Sequence, residues 1–305
     1  MYQHKPIHFL CFFTLLSFLV SCQPKQPREY IFLGHPYDYH RLERLDPRVE
    51  QLLTYPFDQV WLGGDVCGEM GSSEENFIYM DSLFDAIPGE IHWSLGNHDI
   101  NFGPIDQILA LKDKPAFYSI TQSGICLLVL NTNLFWFYSS DPPQEKCQEK
   151  EAQLALIKSV TDTIKEASHL VILHHHGLLT EMLTDSINQL LNPFNVNAQS
   201  IRTSCDPKSY ANEVVYPQLV EVQERGIQVL LIGGDMGMVA KEFDYRTPEG
   251  IAVLGSGINN SMSREFAPEY VTSFDPDKVL WLQHWPEQKR LEWRFVDLDS
   301  LVARQ

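Results

Sequence analysis

Several apolar runs in this sequence stop at a glycine and then at a side chain able to bind a metal ion. Gln59-Val60-Trp61-Leu62 is followed by Gly63-Gly64-Asp65, Glu90 to Leu95 by Gly96-Asn97-His98-Asp99, and Gln228 to Ile232 by Gly233-Gly234-Asp235. Leu170 to Leu173 runs directly into His174-His175-His176, and Tyr30 to Leu33 into Gly34-His35. Strand interiors rarely tolerate carboxylates, whereas the C-terminal tips of strands open onto a crevice where ligands bind. Glycine at a tip lets the backbone turn sharply and approach a phosphate or metal closely. Asp65, Asn97, the histidine run and Asp235 therefore converge on one sheet edge with carboxylate, amide and imidazole donors. That mixture suits manganese, iron or zinc. An aspartate after Gly-Gly is also an ordinary turn former; it is the repetition at successive strand ends that points to a site.

The elements that must position these residues alternate between strand and helix. Phe77, Met80, Phe84 and Ile87 recur at helical spacing, as do Leu154, Ile157, Val160 and Ile164. Ile125 to Leu130 reads as a buried strand and Ile251 to Leu254 as another. Pro217 can open a helix that Gly226 closes. Val279 to Trp285 and Leu291 to Val296 flank a Pro286-Glu287-Gln288-Lys289 turn and predict a hairpin. This order predicts an α/β fold with helices layered on sheet. One domain over 30–300 is expected, with the irregular stretch 177–212 as a cap-like insertion. Phe135-Trp136-Phe137 reads as a wall of that cap or groove; an exposed patch beside the site would make it a substrate platform.

Acidic side chains number 40 against 23 basic ones, a net charge of −17, which weighs against binding a nucleic-acid backbone. An enzyme acting on phosphorylated small molecules remains compatible, because bound cations can supply the missing positive charge. Lys5 precedes an apolar stretch from Ile7 to Val20 that is too short to span a bilayer comfortably. It ends in Leu19-Val20-Ser21-Cys22, which resembles a bacterial lipobox. The expectation is a lipoprotein signal peptide over 1–21, lipidation at Cys22, and a tether over 22–29. The protein would then sit in the bacterial cell envelope, held to a membrane by lipid on an extracytoplasmic face. No CxxC spacing occurs, so a structural zinc site is disfavoured. Cys147 and Cys205 lie in polar segments and could pair in an oxidising compartment, although spacing does not fix the connectivity.

Taken in order, the motifs resemble the calcineurin-like metallophosphoesterase superfamily. Gly64-Asp65 is similar to its bridging-aspartate motif, and Gly96-Asn97-His98-Asp99 reproduces its GNHD letter for letter. Phe117 to Ile120, Leu128-Val129-Leu130-Asn131, and Gln153-Leu154 before Leu173-His174-His175-His176 resemble its middle strands and fourth motif. The resemblance covers about residues 30–260 and implies a β-sandwich flanked by helices. It also implies hydrolysis of a phosphomonoester or phosphodiester by a metal-activated water. In it His98 would contact the phosphoryl group and protonate the leaving oxygen, with Asp99 orienting its ring. One metal would take Asp65, Asn97, His175 and Asp235; His175 is favoured over His174 because its spacing to Gly177 matches the family's histidine-to-proline spacing.

Two motifs depart from the pattern. Where the family opens with D-x-H this chain has His35-Pro36-Tyr37 in register, and a literal Asp38-Tyr39-His40 a few residues on. Where the family closes with G-H-x-H the chain has Gly234-Asp235-Met236-Gly237. The second metal would keep Asp65 with His35, Tyr37 or Asp38 and lose a ligand at Gly237. One tight and one weaker divalent ion are expected, manganese, iron or zinc, with a phosphorylated small molecule or ester as substrate. The rival reading is a degenerate phosphoesterase fold kept as a non-catalytic binding or assembly lipoprotein.

Overall fold

The apolar runs fold into two mixed sheets packed face to face. The computed structural model describes residues 26–69, 73–101, 105–179, 193–195, 201–259 and 262–304. The expected signal peptide, Cys22 and half of the 177–212 insertion lie outside the described residues.

In chain order the strands are β1 (Arg28–Leu33), β2 (Tyr37–Asp38), β3 (Arg41–Leu45), β4 (Gln59–Leu62), β5 (Glu90–Trp93), β6 (Tyr118–Gln122) and β7 (Ile125–Val129). They continue as β8 (His169–His174), β9 (Gln228–Gly233), β10 (Glu242–Arg246), β11 (Ala252–Ser256), β12 (Lys278–Trp285) and β13 (Arg290–Asp297). One sheet has the order β13-β12-β1-β4-β5 and the other β10-β11-β9-β8-β7-β6, while β2 and β3 form a separate hairpin. Within them β1, β4 and β5 run parallel, as do β7, β8, β9 and β11. Their C-terminal tips therefore share an edge. Strand β10, which the sequence pattern did not suggest, alternates exposed and half-buried residues as an edge strand does.

Alternation along each strand divides the core into three layers. Tyr30 and Phe32 point between the sheets with Trp61, Val171, Leu173, Leu230 and Ile232. Ile31 and Leu33 point outward, against Val49, Leu52, Met80, Ile108 and Leu298 on covering helices. On the far face Cys126, Leu170 and Val229 meet Ile157 and Val160 of helix Gln144–Thr163 and Leu219 and Val222 of helix Tyr216–Glu224. The expected helix-flanked sandwich is the observed one. Cys147 and Cys205 are disulfide-bonded, so the first turn of helix Gln144–Thr163 is tied to the segment leaving the insertion.

Both sheets come within backbone contact at the shared edge. A Cβ on Gly234 would stand on the Gly63 carbonyl oxygen, and one on Gly63 would lie 2.8 Å from the Gly234 Cα. The Gly-Gly pairs thus serve the approach of sheet to sheet more than a free turn.

At the opposite end, roughly 17 Å along β8, the rings of His169 and His284 meet edge to face with centroids 5.4 Å apart. Both are pushed down to about 4, His169 by burial and then by His284, His284 by burial and then by Arg28. Unfolded imidazoles titrate near 6.5. From pH 6.5 down to 4 the unfolded chain binds protons that the folded chain refuses. Stability should therefore fall with pH across that window by on the order of 2–3 kcal/mol for each ring. Urea unfolding at pH 7 and pH 4.5 measures the drop, which the double variant His169→Gln/His284→Gln should flatten. An unchanged pH slope in the variant would exclude these rings as the cause.

Candidate metal centre

Asp65 follows β4 with a left-handed backbone, φ 51°, a conformation aspartate enters more readily than most residues. Its carboxylate is buried, with Oδ1 accepting the His98 backbone N–H at 2.8 Å. Oδ2 lies 3.1 Å from His35 Nε2 and 3.4 Å from His175 Nε2. His35, after β1, is also left-handed, φ 55°. Strain of this kind at two adjoining positions is a mark of a site whose geometry the surrounding fold enforces.

The side chain of His175 reaches from the other sheet. Its Nδ1 donates to the Gly63 carbonyl at 2.8 Å, which aims Nε2 at the cluster. Nε2 is 3.2 Å from Asn97 Oδ1 and 3.9 Å from Asp235 Oδ1. His174 turns elsewhere: its Nδ1 donates to the His176 carbonyl at 2.8 Å and its ring faces Phe194. Of the two contenders His175 is the one beside Asp65. Asp235 accepts from Asn195 Nδ2 at 2.9 Å. Burial would raise the Asp65 carboxyl, but His175 and His35 hold it well below the usual range. Burial would likewise lower His175, yet Asp65 and Asp235 push it up to about 9, while burial keeps Asp235 above its ordinary value.

The donor set fits a divalent cation. With bonds of about 2.0–2.2 Å, neighbouring ligand atoms around an ion stand about 3–3.5 Å apart. Three of the four separations around His175 Nε2 and Asp65 Oδ2 already lie at 3.1–3.4 Å, and only the contact to Asp235 must close further. Two carboxylates, an amide oxygen and imidazoles, all converging, are a harder set than thiolate sites and suit manganese or iron as well as zinc.

For the first motif the geometry favours His35. Asp38 turns away: its Oδ1 caps the His40 N–H at 2.9 Å, its Oδ2 pairs with Arg41 at 2.9 Å, and His40 is exposed. The literal Asp38-Tyr39-His40 is the turn of the β2–β3 hairpin, which is why it cannot reach the tips. Tyr37 does line the site, its ring 4.7 Å from His35 and 5.6 Å from His98. Burial, then the charge of Asp65, raise its phenol so far that it stays protonated, a packing group rather than an anionic ligand.

Asp99 requires a correction. It does not touch the ring of His98, whose Nδ1 donates to the Gly68 carbonyl at 2.9 Å. Its buried carboxylate instead accepts from the backbone N–H groups of Gly96 (2.7 Å), Val66 (2.8 Å) and Asp65 (2.9 Å) and from Trp93 Nε1 (3.0 Å). Burial and the Asp65 charge push it up to about 6. It fastens the β4 tip to the β5 tip.

Asn195 escaped the sequence reading, and His176 entered it only as a member of the histidine run. Asn195 comes from the insertion, 40 positions from the aspartate it holds. His176 places a ring nitrogen within 4.8 Å of ligand atoms of His175 and Asp235. Its Nδ1 lies 2.9 Å from the Thr132 hydroxyl, and its buried Nε2 has no partner. It lies beyond the end of β8 at His174, where strand alternation no longer decides which way a side chain faces. Gly237 is as the departure from G-H-x-H suggests, without a ligand, and its backbone has closed around that state. Its φ is 120°, and a Cβ there would meet the Ile258 carbonyl oxygen at 2.7 Å.

No family model matches the sequence, and no curated protein is significantly similar to it. Solved structures are similar. A dimetal phosphatase from Danio rerio superposes with a TM-score of 0.54 at 11% identity, covering 90% of this chain and 97% of that one. GAP50, described as the anchor in the inner membrane complex of Plasmodium, superposes with a TM-score of 0.53 at 12% identity, covering 90% and 85%. At such identities the likeness concerns the fold alone, which this chain shares with a dimetal phosphatase.

Proposed function

We propose that this chain is a metal-dependent phosphoester hydrolase. The observation that carries the reading is the cluster of buried Asp65, His175 and Asp235 with half-buried Asn97, in which His175 Nε2 stands 3.2–3.9 Å from oxygens of the other three and His35 meets the same Asp65 oxygen at 3.1 Å. Bound divalent ions would supply positive charge for the phosphoryl oxygens and lower the pKa of a water to near neutrality. The chain's own groups do the rest. Gly63 fixes the tautomer of His175, and the His98 backbone N–H holds Asp65 in its rotamer. The hydrogen on His98 Nδ1, bound to Gly68, leaves Nε2 as the nitrogen that takes and gives a proton at the leaving oxygen.

A second reading has its own support. Gly237 lacks a ligand in a backbone state that histidine cannot enter, and one structural neighbour is described as an anchor. In that reading the fold binds or assembles without turnover. Hydrolysis of an aryl phosphate or its bis-ester with added manganese, and its loss in Asp65→Asn, separates the two. Bound metal without turnover across a phosphoester panel would favour the binder.

The metals should differ in affinity. The site of Asp65, Asn97, His175 and Asp235 is complete, whereas the site around His35 lacks the ligand Gly237 cannot supply. Calorimetric titration of metal-free protein should resolve one tight and one loose class, the loose one lost on dialysis. His35→Ala should weaken only the loose class, and Gly237→His should destabilise the fold without tightening it. Since a metal needs the neutral imidazole and His175 is pushed up to about 9, tight binding should strengthen as pH rises toward that value. Two equally tight classes in the parent would overturn this assignment.

The same reading places the protein in the cell envelope through lipid on Cys22. The Leu19-Val20-Ser21-Cys22 sequence supports it, and so does the Cys147–Cys205 disulfide, a bond that persists in oxidising compartments. Mass spectrometry of the native protein should find a lipidated Cys22 terminus; an intact Met1 terminus would refute it.

A further inference from the structure

We infer that the substrate is an ester of a single phosphoryl group with an uncharged, ring-bearing alcohol, an inference that rests on the phosphoester reading. A cavity of about 190 Å³ opens over the ligand cluster, and its outer wall is Tyr37, Trp136, Met238 and Tyr270. Ligand pockets for drug-sized molecules run about 300–1,000 Å³, so this one encloses the phosphoryl group and only the portion of the alcohol next to it. The wall continues outward as aromatic surface. Tyr270 is 62% exposed, and Phe137, 42% exposed, packs on Trp136 with ring centroids 4.5 Å apart. Large exposed hydrophobic side chains are few among the described residues, and the gathering of aromatic groups at the mouth of a polar site marks a surface for flat apolar matter.

Charge narrows the class further. No lysine or arginine lines the cavity. The internal stretches outside the description, 70–72, 102–104, 180–192, 196–200 and 260–261, contain none either. Basic residues on the neighbouring segments are engaged elsewhere. Lys241 is buried, donating to the Gly237 carbonyl and paired with Asp277, and Arg264 lies over the Phe274 ring. A diphosphate or a bisphosphate brings charge beyond what the ligand cluster can offset, and recognising it takes arginine or lysine. With −17 overall, the chain repels such polyanions rather than attracting them.

The test compares pairs that differ in the ring and hardly in chemistry. Benzylphosphonate and ethylphosphonate cannot be hydrolysed, and their binding to manganese-loaded protein is read by calorimetry. Benzyl phosphate and ethyl phosphate, whose alcohols are about equally basic, are compared by kcat/KM. We expect the benzyl member to be favoured roughly ten-fold or more in each pair. Tyr270→Ala should bring the ratios toward one, while Tyr270→Phe, which keeps the ring, should preserve them. Ratios near one in the parent, or tighter binding of benzyl diphosphate than of benzylphosphonate, would overturn the inference. If the phosphonates discriminate as expected but no ester is turned over, the ligand class stands and the hydrolase reading falls. If neither phosphonate binds, the phosphoryl site itself is wrong and the inference falls with it.

Discussion

Asp99→Ala should cost about 3–5 kcal/mol of stability in chemical unfolding. Removing the carboxylate strands the N–H groups of Asp65, Val66 and Gly96 and the indole N–H of Trp93. A buried donor left without a partner costs about 1–3 kcal/mol, and relaxation beside the cavity lets water reach some of them, which keeps the total below the simple sum. Asp99→Asn should be milder, about 1–2 kcal/mol. Its amide oxygen can take the place of Oδ2 and retain Asp65, Gly96 and Trp93, while its NH2 faces the Val66 donor. Metal content should fall with stability in Asp99→Ala, because the β4 tip carries Asp65. An Asp99→Ala variant with parental stability and impaired turnover would restore the role of ring-orienting partner to His98.

His98→Ala should lower turnover by ~10²–10⁴-fold, the usual contribution of a general acid, with metal content unchanged. Retention of metal follows from the geometry: it is the backbone N–H of residue 98 that binds Asp65 Oδ1, and alanine keeps it. The imidazole is anchored on the other side, by Gly68. The loss should be greatest for esters of basic alcohols and shrink for aryl esters, whose oxygen leaves without a proton. Equal losses across leaving groups would remove His98 from the acid role, and loss of bound metal would make its ring a ligand.

Much of the site was legible because its ligands follow apolar runs and glycine, a pattern that survives without any knowledge of packing. Asp65, Asn97 and Asp235 could be read that way, whereas the histidine run follows its strand without a glycine and His175 is singled out of it by the family's spacing. Their convergence depends on strands being parallel, which uninterrupted buried runs such as Ile125 to Val129 and His169 to His174 announce. What could not be read is which donors a given acid meets. Asp99 stands next to His98 in sequence, but the helical turn Asn97–Asn101 sends the two side chains to different partners. The choice between His35 and Asp38 likewise depends on a two-residue strand, Tyr37–Asp38, too short for any periodicity to reveal. Asn195 arrives from an irregular segment, where no pattern links it to the aspartate it holds.

The near-contact of Gly63 and Gly234 has a mechanical consequence. Asp65 and Asn97 stand on one sheet's edge and His175 and Asp235 on the other's, so the ligand cluster straddles the seam between the two halves of the sandwich. An ion held there is a rivet as well as a reagent: it binds the assembled seam and not its separated halves, and so adds its binding free energy to the cohesion of the layers. With an ion bound, chemistry and architecture would share one fastener, and stripping it would also loosen the join on which the four ligands depend to find one another.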